Sequence, residues 1–156
     1  CAKVELDGSG TATSTPMTFA EVGTISHLNV TDDYIIVCGS SASGDNSHTV
    51  FVYDLNGSLV YTLTADSESI GLGSCTFVAE TANGFYAMDG NMRTVCFWDT
   101  EGNYIGRIED SDLFGTSYPW FCGSCMLDAD TLLTVMTEER EDESADEVIA
   151  FTVKGF

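Results

Sequence analysis

The sequence is poor in positive charge. Five Lys and Arg stand against 25 Asp and Glu in 156 residues, a net charge of -20. Binding to nucleic acid or anionic lipid needs Lys and Arg to displace counterions, so the composition argues against both partners. Proline and histidine are also scarce, at 2 residues each. No apolar stretch approaches the length of a membrane-spanning helix. No segment has convincing helical periodicity, although 67–72 and 113–120 could hold a turn of helix. A Gly-rich phosphate loop, a Gly-x-Ser-x-Gly elbow and a His-Glu-x-x-His pair are all missing.

What is present is the composition of a folded β protein. Apolar residues make up 44% and aromatics 11%, with 15 Gly. Thr, Val and Phe are plentiful, which favours strands joined by tight turns. The length suits one domain, which buries roughly 70% of its unfolded surface and needs no disulfide to have a core. Six Cys alongside few Lys and Arg fit an oxidising, extracellular or cell-surface setting. Two origins fit Cys1: the lipid-bearing first residue of a mature bacterial lipoprotein, or a boundary within a longer chain.

One phrase recurs. Asp89 to Gly102 reads as a polar turn, an apolar strand and a turn closed by glycine. Gly44 to Gly57 repeats it, and Asp146 to Gly155 is a worn third copy. Asp54 to Asp99 and Gly57 to Gly102 are each 45 residues apart, and Gly102 to Gly155 is 53. The acidic run Glu138 to Glu147, read as a solvated hairpin tip, absorbs the longer last step. Repeats fall at roughly 24–64, 75–109 and 124–156, preceded by a strand at Ala2 to Asp7 and a linker from Gly8 to Pro16. Asn56-Gly57 predicts a two-residue hairpin turn with both central residues at positive φ. Four short strands per unit of about 45 residues is the arithmetic of a β-propeller blade. The expectation is an all-β partial propeller of three four-stranded antiparallel blades. The third lacks a strand that Ala2 to Asp7, of the same or another copy, is placed to supply.

The repeated phrase resembles an NHL-type blade of the six-bladed, TolB-like group. Asp89, Asn91 and Arg93 fill its loop, Asp99 ends its strand and Gly102 closes its turn. Asp45, Asn46, His48, Asp54 and Gly57 take the same roles in the first repeat. The resemblance implies fold rather than activity, because such families include protein-binding scaffolds, RNA binders and metal-dependent lyases and lactonases.

The candidate sites are weighed against structural roles. Loop Asp and Asn side chains usually bond their own turn, so the signature residues are read first as turn-builders. Cys122-Gly-Ser-Cys125 is spaced for a local disulfide, a redox pair or half a zinc site, but no second close Cys or His pair completes a zinc site. Cys75 and Cys125 both follow Gly-Ser and are read as related positions of adjacent repeats. His27 and His48 are too few for a propeller-type metal centre. Asp32, Asp33, Asp45, Asp110, Asp112, Asp128 and Asp130 form no calcium-loop pattern and suggest at most weak surface Ca²⁺ binding. The functional expectation is a non-catalytic, exported module that binds a protein or further copies of itself. The alternatives are part of a metal-dependent propeller enzyme and a lipid-anchored surface sensor.

Overall fold

A computed structural model describes residues 1–44, 48–64, 72, 75–90, 94–109, 119–128, 131–139 and 144–152. All the regular elements among these residues are strands. Two of them, β1 (Ala2–Leu6) and β2 (Ala12–Pro16), form a hairpin of their own. The first large sheet runs β3 (Val22–Val30), β4 (Tyr34–Ser41), β5 (His48–Asp54) and β6 (Leu59–Leu63). The second runs β7 (Cys75–Thr81), β8 (Gly84–Asp89), β9 (Thr94–Trp98) and β10 (Tyr104–Glu109). The third runs β11 (Pro119–Met126), β12 (Thr131–Glu139) and β13 (Ser144–Thr152). Each is an antiparallel meander in chain order, and none closes on itself among the described residues.

Alternation along the strands gives the first two sheets an apolar layer on both faces. Ile36, Cys38, Val50 and Val52 on one face of the first sheet meet Val78, Phe85, Ala87 and Trp98 of the second in one buried core. The other face of the second sheet buries Phe77, Tyr86, Met88, Val95 and Phe97, with Met126 of β11 packed on it. Each such aliphatic or aromatic side chain contributes roughly 1.5–3 kcal/mol when fully buried, so these two layers are the main source of stability. The first strands of the sheets are neighbours: β7 touches β3 on one side and β11 on the other. Asn29 Nδ2 donates to the Val78 carbonyl at 3.0 Å, and Thr31 Oγ1 donates to Glu80 Oε2 at 2.5 Å.

The chain start departs from the sequence reading. Residues 2–7 do not complete the third sheet. Ala2 lies opposite Pro16 and Leu6 opposite Ala12, so the supposed linker supplies β2. The cause is a turn overlooked in Asp7-Gly8-Ser9-Gly10. The Asp7 carboxylate accepts hydrogen bonds from the Ser9 and Thr11 N–H groups, and Gly10 takes φ 85°. Closing this short loop costs less chain entropy than reaching a strand far along the chain.

The same turn joins β5 to β6 and β9 to β10, which also corrects the turn type. Gly57 N donates to the Asp54 carbonyl and Asp54 N to the Ser58 carbonyl. The central pair is therefore Leu55-Asn56, and Gly57 is the following left-handed residue at φ 86°. This is a three-residue hairpin loop with a bulge, not a two-residue one. Asp99 and Gly102 repeat the pattern, with Gly102 at φ 82°.

Candidate functional site

The repeat-signature residues separate into two groups. Asp54 and Asp99 hold turns: each carboxylate accepts from the N–H groups two and four residues on, at 2.9 and 2.8 Å. The backbone bond from Ser58 leads in holding the Asp54 carboxyl below its ordinary range. For Asp99 it is the Asn103 side chain, and for Asp7 the Ser9 hydroxyl. In each of the three, Oδ1 accepts from the backbone of its own turn. Asp89, placed in a loop by the sequence, instead ends β8 opposite Thr94 and is 1% exposed. Asp45, Asn46, Asn91 and Arg93 lie outside the described residues, as do Asp110, Asp112 and Asp130, and of His48 only the backbone is described.

The cysteines divide by exposure. Cys38, Cys75 and Cys96 share the core between the first two sheets, whereas Cys1 and Cys125 are exposed free thiols. Burial, with contact to Cys38 next, raises the Cys75 pKa well above normal, and burial pushes Cys96 up to about 11. Neither is a ready nucleophile. Cys122 and Cys125 both belong to β11. Cys122 falls at the register shift between Phe121 and Gly123, and of it only the backbone is described. Cys75 and Cys125 are not equivalent. Cys75 opens β7 opposite Asp89, while Cys125 lies opposite Leu133 near the end of β11. The shared Gly-Ser misled because the two strands begin at different distances from their turns.

His27 is half-buried against Phe77 at 5.4 Å between ring centroids, and burial lowers its pKa. Among the described residues, no three His, Cys, Asp or Glu side chains converge as metal ligands.

The strongest unexplained feature is an apolar groove of about 220 Å³ on the outer face of the first sheet. Met17, Phe19, Leu28, Val30, Ile35 and Leu55 line it. Register shows what this face is. Leu28 lies opposite Val37 and Val30 opposite Ile35. In the second sheet the same positions are Val78 opposite Ala87 and Glu80 opposite Phe85. Val78 is fully covered by the first sheet, but Leu28 is 37% and Val30 58% exposed. At β3 the first sheet thus leaves exposed part of the face that the second sheet buries against its predecessor.

Part of that face is closed by the segment before β3. Phe19 packs on Tyr53 at 4.6 Å, and Tyr53 Oη donates to Glu21 at 2.9 Å. Trp98, at Tyr53's position in the second sheet, instead sends its indole N–H to the Thr64 carbonyl of the preceding sheet's end. Likewise Gly57 lies beside Met17, whereas Gly102 lies beside Tyr61 and Leu63 of the preceding sheet. Met17, Phe19 and Val22 thus cover on the first sheet what Tyr61, Leu63 and Thr64 cover on the second. The part over β3 stays open: Leu28 and Val30 are exposed, whereas Ile35 and Val37 of β4 are buried.

Sequence reasoning missed this surface. Its signal was the alignment of Leu28 with Val78 by the repeat: Val78 has a four-stranded sheet over it and Leu28 does not. Compared with known proteins, the chain matches no family model, no curated protein and no solved structure.

Proposed function

We propose that the chain is a non-catalytic β-propeller arc, working outside the cell or at its surface, that binds a protein or further copies of itself. The observation that carries the reading is the open β3 edge of the first sheet's outer face: Leu28 is 37% exposed where its counterpart Val78 is fully buried, and Val30 beside it is 58% exposed. The adjacency of β3, β7 and β11 supports the blade reading, since blades converge on their first strands. The NHL-like turn phrase agrees with it. Leu55 beside the groove and Val4 and Leu6 on the hairpin add exposed apolar surface of the kind that marks interaction sites. The net charge of -20 directs the choice toward protein rather than nucleic acid or anionic lipid.

Sedimentation over a concentration series, paired with lactone hydrolysis and polysaccharide lyase assays, tests the reading. Protein association without turnover is the expected result. Turnover abolished by a chelator and restored by a divalent metal would overturn it in favour of a propeller enzyme.

A further inference from the structure

The stack of sheets has two open ends, and the far end is the counterpart of the near one. In β12, Val135 occupies the register position of Cys38 in β4 and Met88 in β8. Each sits three residues beyond the apolar second residue of the sheet's second strand: Leu132, Ile35 and Phe85. Cys38 and Met88 are fully buried against the next sheet, whereas Val135 is 37% exposed. Cys125, on the same face by its pairing with Leu133, is also exposed. Met126, on the opposite face, accepts a contact from the Tyr86 hydroxyl and packs on the second sheet. Among the described side chains of the third sheet, Met126 is thus covered by the second sheet while Cys125 and Val135 on the opposite face are exposed, as Leu28 and Val30 are at the first sheet in the reverse sense.

The chain makes one kind of interface twice, first sheet to second and second to third. It then presents the two unmatched halves of that interface at its ends. We propose that the outer face of the first sheet in one copy docks on the outer face of the third sheet in a second copy, head to tail. This rests on the propeller-arc reading and names the partner. The contact is heterologous, so it builds a ring if the rotation closes and a filament if it does not. A partner presenting a single sheet of different origin would need to reproduce the Cys125, Leu133, Val135 surface. A second copy already has it.

Two independent features shape the test. Each copy carries -20, so the copies repel and association strengthens with salt. The screening length falls from about 10 Å at 0.1 M to about 3 Å at 1 M. The exposed thiols Cys1 and Cys125 also sit one at each open end, Cys1 at the groove and Cys125 on the far face.

The experiment uses the full chain and two charge variants, Val30→Asp and Val135→Asp, in light scattering across concentration and salt. Head-to-tail docking predicts that each variant alone weakens association about tenfold or more. It also predicts that mixing the two restores a pair, because Val30→Asp keeps an intact far face and Val135→Asp an intact near face. In a Cys1→Ser background, mild oxidation of the Val30→Cys variant should trap a disulfide between copies. The bond would join the introduced thiol of one copy to Cys125 of the next, mapped by mass spectrometry.

A Val30→Cys chain linked to its partner through the introduced thiols of both copies, with Val135→Asp harmless, would overturn head-to-tail docking in favour of a symmetric pair. A monomer at every concentration and salt would also overturn it. Protection of Cys38, Cys75 and Cys96 from alkylation in each variant reports folding separately. A protected monomer therefore removes the second copy as partner while leaving the stacked arc in place. Loss of protection in the unmodified chain would remove the arc itself.

Discussion

Asn29 Nδ2 and the Val78 carbonyl oxygen, 49 residues apart in sequence, meet at 3.0 Å and tie the first strand of one sheet to that of the next. Leu28 and Val30, on either side of Asn29, point the other way into the groove. One strand thus serves a completed interface and an open one. Removing the bond with Asn29→Ala should cost about 1–2 kcal/mol. For a domain of this size that lowers the melting temperature by about 2–4 °C per kcal/mol. A thermal melt indistinguishable from the parent would show that the bond contributes nothing.

Gly39 and Gly106 are both strand glycines, and they should behave oppositely. A Cβ on Gly39 would lie 1.8 Å from the Thr24 carbonyl oxygen, where β3 bulges toward β4. A Cβ on Gly106 would meet nothing within 4 Å beyond its chain neighbours. Gly39→Ala should destabilise by more than about 3 kcal/mol, while Gly106→Ala stays within about 0.5 kcal/mol. Urea titration of the two variants side by side is the measurement.

Acidification should weaken the fold in two stages. Burial lowers the His27 pKa from its ordinary 6.5. The unfolded chain therefore takes up that proton first, and stability present above pH 6.5 is lost as pH falls toward the folded value. Asp7, Asp54 and Asp99 are lowered from 3.8 by hydrogen bonds within their turns. Their contribution is complete above pH 3.8 and disappears below it, toward their folded values. In urea midpoints measured against pH, His27→Gln should flatten the first stage and leave the second. The double variant Asp54→Asn, Asp99→Asn should flatten part of the second.

Thiol reactivity should follow burial. Under native conditions a soluble alkylating reagent should modify Cys1 and Cys125 within minutes. Cys38, Cys75 and Cys96 should react only after denaturation, since each is at most 3% exposed. Peptide mapping reads each site. Fast native labelling of Cys75 would contradict the packed core between the first two sheets.

The sequence carried the strands well and the chain ends poorly. The phrase around Asp54 and Asp99 was legible because its turn is local: one carboxylate, two N–H groups and a glycine within five residues. The same device at Asp7 to Gly10 went unread because serine and glycine there look like a linker, and no strong apolar strand follows. Asp89 was misplaced because a buried carboxylate at a strand end has the same letter as a loop residue. The groove was hidden for a different reason. Whether Leu28 or Val135 is covered depends on which sheets stack, a long-range fact that local alternation does not contain.

The serial stacking also sets how the molecule comes apart. β8 and β9 are buried at every residue, whereas β1 and β2 are exposed throughout. When each unit touches only its neighbours, opening proceeds from the ends, and amide hydrogens record a gradient rather than a single rate. The middle sheet exchanges slowest, since both of its sides must be stripped before its ladder meets solvent. Anything seated on Val30 or Val135 would slow exchange first at the extremities and last in the centre.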